Sequence, residues 1–130
     1  MAEPRPRVFE YEVAYDGTAV ATAEGTSVEV PGNWSPEHLV LAALLDCSLT
    51  SLRYHARRED VAVTASGEAS GTVTRREQDG RFAFLDVEAR FDVRFEPTPP
   101  DQRALLEKAE RDCFVGASLT ARPRYVWNVE

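Results

Sequence analysis

The chain holds two cysteines, Cys47 and Cys113, 66 residues apart, and each lies in its own helical segment. A lone buried cysteine is ordinarily a small apolar residue. Two of them, each in a helical run and absent elsewhere, raise the prospect of paired thiol chemistry. A thiolate can attack the O–O bond of a peroxide. A neighbouring cation or donor then stabilises that thiolate and the departing alkoxide, and a second thiol captures the sulfenic acid before it overoxidises. Two cysteines brought together by folding meet the first and third of these needs. On composition alone the competing reading, two inert core residues, stays open.

Other chemistries find little support. There is no Cys-x-x-Cys, and His38 and His55, seventeen residues apart, match no zinc spacing. Both histidines read as helix-flank residues rather than general bases. No glycine-rich phosphate loop occurs, and Gly-Ala-Ser-Leu at 116–119 lacks the Gly-x-Ser-x-Gly elbow of a serine hydrolase. No metal or bound cofactor is expected. A net charge of −7 and a pI of about 4.9 argue against nucleic acid and against anionic membrane surfaces. The longest apolar stretch, Leu39 to Leu45, is too short to span a bilayer, and MAEPRPRVFE carries no secretory pattern. A soluble cytoplasmic protein is expected. Thiols stay reduced there, so redox cycling explains a cysteine pair better than a lasting staple does.

The elements that must position the thiols are legible. At 130 residues the chain is expected to form one domain, residues 1–130. Residues 8–30 read as strands: Phe9, Tyr11, Val13 and Tyr15 alternate with polar or small residues, Asp16-Gly17 makes a hairpin turn, Thr18 to Ala23 returns, and Val28 and Val30 form a third strand. Ser35 as N-cap, Pro36 and Glu37 open a helix running to Arg58. Its Leu39–Leu45 stretch is apolar all round and is expected to be buried on every side, by the second helix and by a second subunit.

Residues 61–75 return to strand, with Gly67 and Gly71 read as bulges or bends. Asp79-Gly80 is another hairpin turn. In the next strand Phe82 and Phe84 share one phase, while Leu85, Val87, Ala89, Phe91, Val93 and Phe95 share the other. That mismatch calls for a bulge at Phe84-Leu85. Thr98 or Pro99 precedes a second helix, with Asp101 in its first turn and Leu105, Leu106 and Ala109 as its inner stripe. A short apolar segment, Phe114 to Leu119, follows, and Arg122 to Val129 closes the chain as a strand with Tyr125, Trp127 and Val129 on one face. The fold class is α+β, mostly antiparallel sheet packed around two helices.

Two stretches carry a family resemblance. Ser35-Pro36-Glu37 is followed, ten residues after the glutamate, by Cys47 in a long hydrophobic helix, and Cys113-Phe-Val-Gly-Ala-Ser-Leu begins a short helix just before the C-terminal strand. In this the chain resembles the OsmC/Ohr family (osmotically inducible protein and organic hydroperoxide resistance protein), over nearly its whole length. The resemblance implies an OsmC-like intertwined homodimer with its thiol sites near the subunit interface. It also implies dithiol-dependent reduction of organic hydroperoxides. Cys47 would be the peroxidatic thiol, Cys113 the resolving thiol, and Glu37 the carboxylate that holds an arginine in place. A lipoyl-type or other small dithiol would be the external reductant.

The chain departs from the family pattern in four places. Family enzymes carry that arginine near the first hairpin, whereas Tyr15 precedes Asp16-Gly17 and no arginine lies between Arg7 and Arg53. Arg53, Arg57, Arg111, Arg122 and Arg124 are the candidate substitutes. Asp46, beside Cys47, would disfavour the thiolate if ionised and close. Ser35 replaces the usual asparagine, and Phe114 the usual proline. The alternative to a peroxidase is a protein of the same fold that binds a small hydrophobic molecule, with Phe82, Phe84, Phe91 and Trp127 as candidate lining.

Overall fold

A computed structural model describes residues 6–130. The element order is β1 (Val13–Tyr15), β2 (Ala19–Thr22), β3 (Ser27–Glu29), α1 (Pro36–Arg57), β4 (Ala62–Arg75), β5 (Phe82–Glu96), α2 (Gln102–Arg111), α3 (Phe114–Ser118) and β6 (Arg124–Val129). The chain divides into two compact units at the Ser35/Pro36 junction.

The first unit is an antiparallel sheet in the order β1-β2-β3. Asp16 makes its first turn by accepting from the backbone N–H of Thr18 and Ala19, both at 2.8 Å, and Gly17 supplies the positive φ of 98° that follows. The strand expected from residue 8 starts at Val13 instead. Its partner β2 is four residues long and its last residue, Thr22, pairs with Val13, so residues 8–12 run past the end of the ladder. None of the buried core residues belongs to this sheet, and Val13, Tyr15 and Val28 are all exposed.

The second unit holds the core. The 22 residues of α1 pack against β4, α2 and α3. Leu44, Ser48, Ser51, Leu52 and Ala56 form its buried stripe, at the spacing of one helix face. The opposite stripe (Leu39, Ala43, Asp46, Thr50) is exposed, so the expected burial on every side is not met within one chain. The reason is that α2, α3 and β4 supply cover only where α1 meets them.

β4 and β5 form a long antiparallel hairpin closed at Asp79-Gly80, where Arg76 and Asp79 pair at 2.7 Å. The register slips between Thr72↔Asp86 and Val73↔Phe84 and leaves Leu85 unpaired, which is the bulge the phase mismatch required. It brings Phe84 round to the face that carries Phe91. Gly67 and Gly71 are not bulges. Each lies within regular pairing beneath an aromatic ring, and a Cβ there would stand 2.7 Å from Phe91 Cδ1 or 2.8 Å from Phe84 Cδ1. They are glycines because the rings occupy the space a side chain would need.

β6 is parallel to β5, unlike the rest of the sheet, because the connection passes through α2 and α3 rather than a tight turn. Asp101 caps α2 by accepting from Ala104 N–H at 3.0 Å, one position earlier than its expected first-turn place. On the core face Phe91 stacks on Trp127 with centroids 4.5 Å apart, and Trp127 stacks on Tyr125 at 5.9 Å. Trp127 Nε1 donates to Glu110 Oε2 at 2.8 Å, which ties β6 to α2.

Because Phe91 is itself buried and cannot swing aside, Gly67→Ala is expected to cost about 1–3 kcal/mol. Gly71→Ala, beneath the half-buried Phe84, should cost less. Denaturant unfolding of the two variants measures both, and equal costs would contradict the ring-contact account.

Candidate active site

α1 places Cys47 on its flank, between the buried Leu44/Ser48 stripe and the exposed Ala43/Asp46/Thr50 stripe, so this thiol is partly open to solvent. Cys113 is the N-cap of α3 and is wholly buried. The packing of α1 on α2 and α3 brings the two together. The two thiols are close enough that each shifts the acidity of the other, and the backbone N–H groups of Val115 and Phe114 act on Cys47. These belong to the first turn of α3, whose N–H groups have no partner within the helix. Ser48, the residue after Cys47, has its Oγ 3.4 Å from Cys113 Sγ and donates to the Leu44 carbonyl at 2.7 Å.

The two thiols differ in acidity. Burial pushes the Cys47 thiol up. The Val115 and Phe114 N–H groups pull it back in part and the neighbouring Cys113 opposes them, so the net direction is up. Burial also pushes Cys113 up, but the polar groups around it (the Ser48 hydroxyl, the Gly116 N–H, the Tyr125 hydroxyl and the Cys47 thiol) outweigh it by favouring the thiolate, and the net direction is down. Access and acidity therefore fall on different sulfurs: Cys47 is the one a solute can reach, and Cys113 the more acidic.

No cationic side chain contributes to either thiol among the described residues. Arg111 pairs with Asp112, and Arg124 with Asp86 and Glu88. Arg53 and Arg57 line a groove with Asp60 to Val63, away from the sulfurs. Arg111 and Arg122 border a cavity of about 550 Å³ whose wall includes Gly116 and Tyr125. Asp46 faces solvent and is not among the groups that act on Cys47. Glu37, in the first turn of α1, lies about 15 Å along the helix from Cys47, so one chain does not bring it to the thiol pair. His55 is joined to Asp112 at 2.7 Å, clasping α1 to the end of α2. Among the described residues no three His, Cys, Asp or Glu side chains cluster as a metal site, and no helix is long and apolar enough to cross a membrane.

Phe82, Phe84, Phe91 and Trp127 differ in exposure. Phe91 is filled core stacked on Trp127, while Phe82 is exposed beneath the Arg75 guanidinium.

A family model described as OsmC-like protein matches residues 29–128. The chain belongs to the OsmC-like family. Its fold is shared by an OsmC-like protein of unknown function from Vibrio cholerae (TM-score 0.72, 17% identity, 95% of this chain and 100% of that one). The OsmC-like protein of Mycoplasma pneumoniae also shares it (TM-score 0.66, 11% identity, 94% and 96%). So does the organic hydroperoxide resistance protein OhrB of Bacillus subtilis (TM-score 0.58, 17% identity, 94% and 98%). No curated protein matches the sequence.

Within this OsmC-like site, sequence reasoning missed Ser48, Gly116 and Tyr125. Ser48 carried a signal in being adjacent to Cys47 and in phase with Leu44 and Leu52. Tyr125 was placed on the correct strand face, but nothing in a strand pattern tells where a hydroxyl ends.

The clasp has a pH signature. The Arg111 guanidinium first, and then His55, hold the Asp112 carboxyl down, at about 2 against an ordinary 3.8. A depressed carboxylate contributes stability above its ordinary value and loses it as pH falls through the folded one. The wild type should therefore lose stability between pH about 4 and about 2, and Asp112→Asn should lack that component. Thermal unfolding across this range measures it, and identical acid limbs would refute the pairing of Asp112 with Arg111 and His55.

Proposed function

We propose that this OsmC-like protein reduces organic hydroperoxides as a homodimer, using Cys47 as the peroxidatic thiol, Cys113 as the resolving thiol and an external dithiol as reductant. The observation that carries this reading is the pair itself: one partly accessible sulfur beside one wholly buried sulfur. The Cys47 thiolate attacks the terminal oxygen of the hydroperoxide. The O–O bond breaks, the alkoxide takes a proton and leaves as alcohol, and Cys47 becomes the sulfenic acid. The Cys113 thiolate then attacks that sulfur, hydroxide leaves and is protonated to water, and a Cys47–Cys113 disulfide remains. A small dithiol returns the pair to two thiols by exchange and is itself oxidised to a disulfide.

A second subunit has physical support. The β1-β2-β3 sheet buries no core of its own, and a small sheet without a covered face is marginal in water. The apolar start of α1 is also open, with Leu39 and Ala43 exposed. A second copy would cover such surfaces. It is also the means by which Glu37 and a cation would reach a thiol pair that one chain leaves without them.

The weakened acidity of the Cys47 thiol, which burial pushes up, favours a second reading, an OsmC-fold protein that binds a small hydrophobic ligand and uses no thiol chemistry. Against it stands the scatter of the four rings that would line such a site.

Consumption of cumene hydroperoxide with a lipoyl dithiol should vanish in Cys47→Ser. In Cys113→Ser a single turnover should persist, with Cys47 carried on to sulfinic acid under excess peroxide. If Cys47→Ser retains full activity, the peroxidase reading fails. With no cation in place, the rate of Cys47 oxidation should rise through and above neutral pH by about tenfold per unit, as the thiolate fraction of a raised thiol does. A rate already flat at neutral pH would mean that a second subunit supplies the missing charge.

A further inference from the structure

The Tyr125 hydroxyl is buried and makes no hydrogen bond in the structure. Such a group is costly to leave unpaired. Its position is fixed from behind by the Tyr125–Trp127–Phe91 stack and by the Trp127–Glu110 hydrogen bond. Gly116 marks what lies in front of it. A Cβ at Gly116 would stand 2.8 Å from Tyr125 Oη and 3.7 Å from Cys113 Sγ, so hydroxyl and sulfur crowd the same side of one Cα. Glycine there keeps the space between them clear.

Ser48 is the other hydroxyl beside Cys113, and its hydrogen is already given to the Leu44 carbonyl at 2.7 Å. Toward the neutral Cys113 it therefore acts as acceptor, at 3.4 Å. A serine that accepts from the S–H favours the thiol, and it becomes a donor to the thiolate only by giving up the helix carbonyl. The Tyr125 hydroxyl lies close enough to Ser48 to feel it, but it gives its hydrogen to no backbone carbonyl.

We propose that Tyr125 is the hydrogen-bond donor that stabilises the Cys113 thiolate for its attack on the Cys47 sulfenic acid. This rests on the peroxidase reading above. The proton balance is simple: Tyr125 keeps its proton and lends the hydrogen bond, and the proton lost by Cys113 leaves with the hydroxide expelled from Cys47, as water. Burial, with Cys113 alongside, holds the Tyr125 hydroxyl well above its ordinary range, so it remains a donor throughout. Unpaired in the dithiol state, the hydroxyl gains its partner when charge develops on the sulfur.

Tyr125→Phe removes one oxygen and keeps the ring stack. The first test needs no peroxide. In the Cys47→Ser background, ultraviolet thiolate absorbance against pH should show Cys113 titrating at higher pH in Tyr125→Phe than with Tyr125 present. The second test follows disulfide formation after one equivalent of cumene hydroperoxide. With Cys47 intact, Tyr125→Phe should slow closure at neutral pH by about tenfold and raise the yield of Cys47 sulfinic acid, while the first oxidation of Cys47 keeps its rate. Gly116→Ala, which pushes the hydroxyl aside, should reproduce both effects if Tyr125→Phe does not fold. An unchanged Cys113 titration in a folded variant overturns the role of Tyr125. A chain that never consumes hydroperoxide but shows the titration shift overturns the peroxidase reading and keeps the hydrogen bond.

Discussion

The site depends on one packing relation, the buried stripe of α1 set against α2 and the start of α3. Leu44, Ser48 and Leu52 face inward at helical spacing, and Cys113, at the α2–α3 junction, is buried among the groups they meet. Cys47, one residue before Ser48, stands at the edge of that contact. Helical geometry therefore grades the two sulfurs by exposure: a residue on the stripe's flank keeps a window to solvent, and a residue beneath the stripe has none. A rotation of α1 by one residue would bury Cys47 or expose Ser48, and the difference in access between the thiols would go with it.

Burial raises the cost of charge at both sulfurs, and what offsets it differs between them. At Cys47 the offset is backbone N–H groups from the first turn of α3, and it is incomplete. At Cys113 it is a set of polar groups drawn from α1, α3 and β6, and it is sufficient. The parallel placement of β6 matters here, because pairing Ala89 with Tyr125 and Phe91 with Trp127 sets both rings on the core face and points a strand residue at a helix cap. The chemistry is therefore distributed over elements far apart in sequence, each held by its own packing.

Most of the architecture could be read from local signals. The helix opened by Pro36-Glu37, the turns at Asp16-Gly17 and Asp79-Gly80, and the bulge beside Leu85 all follow from turn chemistry, capping and side-chain phase. What failed depended on partners. Phe9 and Tyr11 alternate like a strand, but the strand beside them ends too early to pair with them. Gly67 and Gly71 look like interruptions until the rings of Phe91 and Phe84 are set over them. The cysteine pair was legible through spacing and resemblance, whereas Tyr125, Gly116 and Ser48 were not, because their roles arise from three-dimensional convergence that no single segment encodes.

The separation of the two sulfurs along the chain has a mechanical consequence. A bond between mid-α1 and the cap of α3 would enclose 65 residues, including the whole β4–β5 hairpin. Tethering a loop of that length restricts the unfolded ensemble by about 4 kcal/mol in the chain-entropy view. Closing and opening that bond would thus switch the molecule between a closed ring and an open thread, and its resistance to heat would record which of the two forms was present.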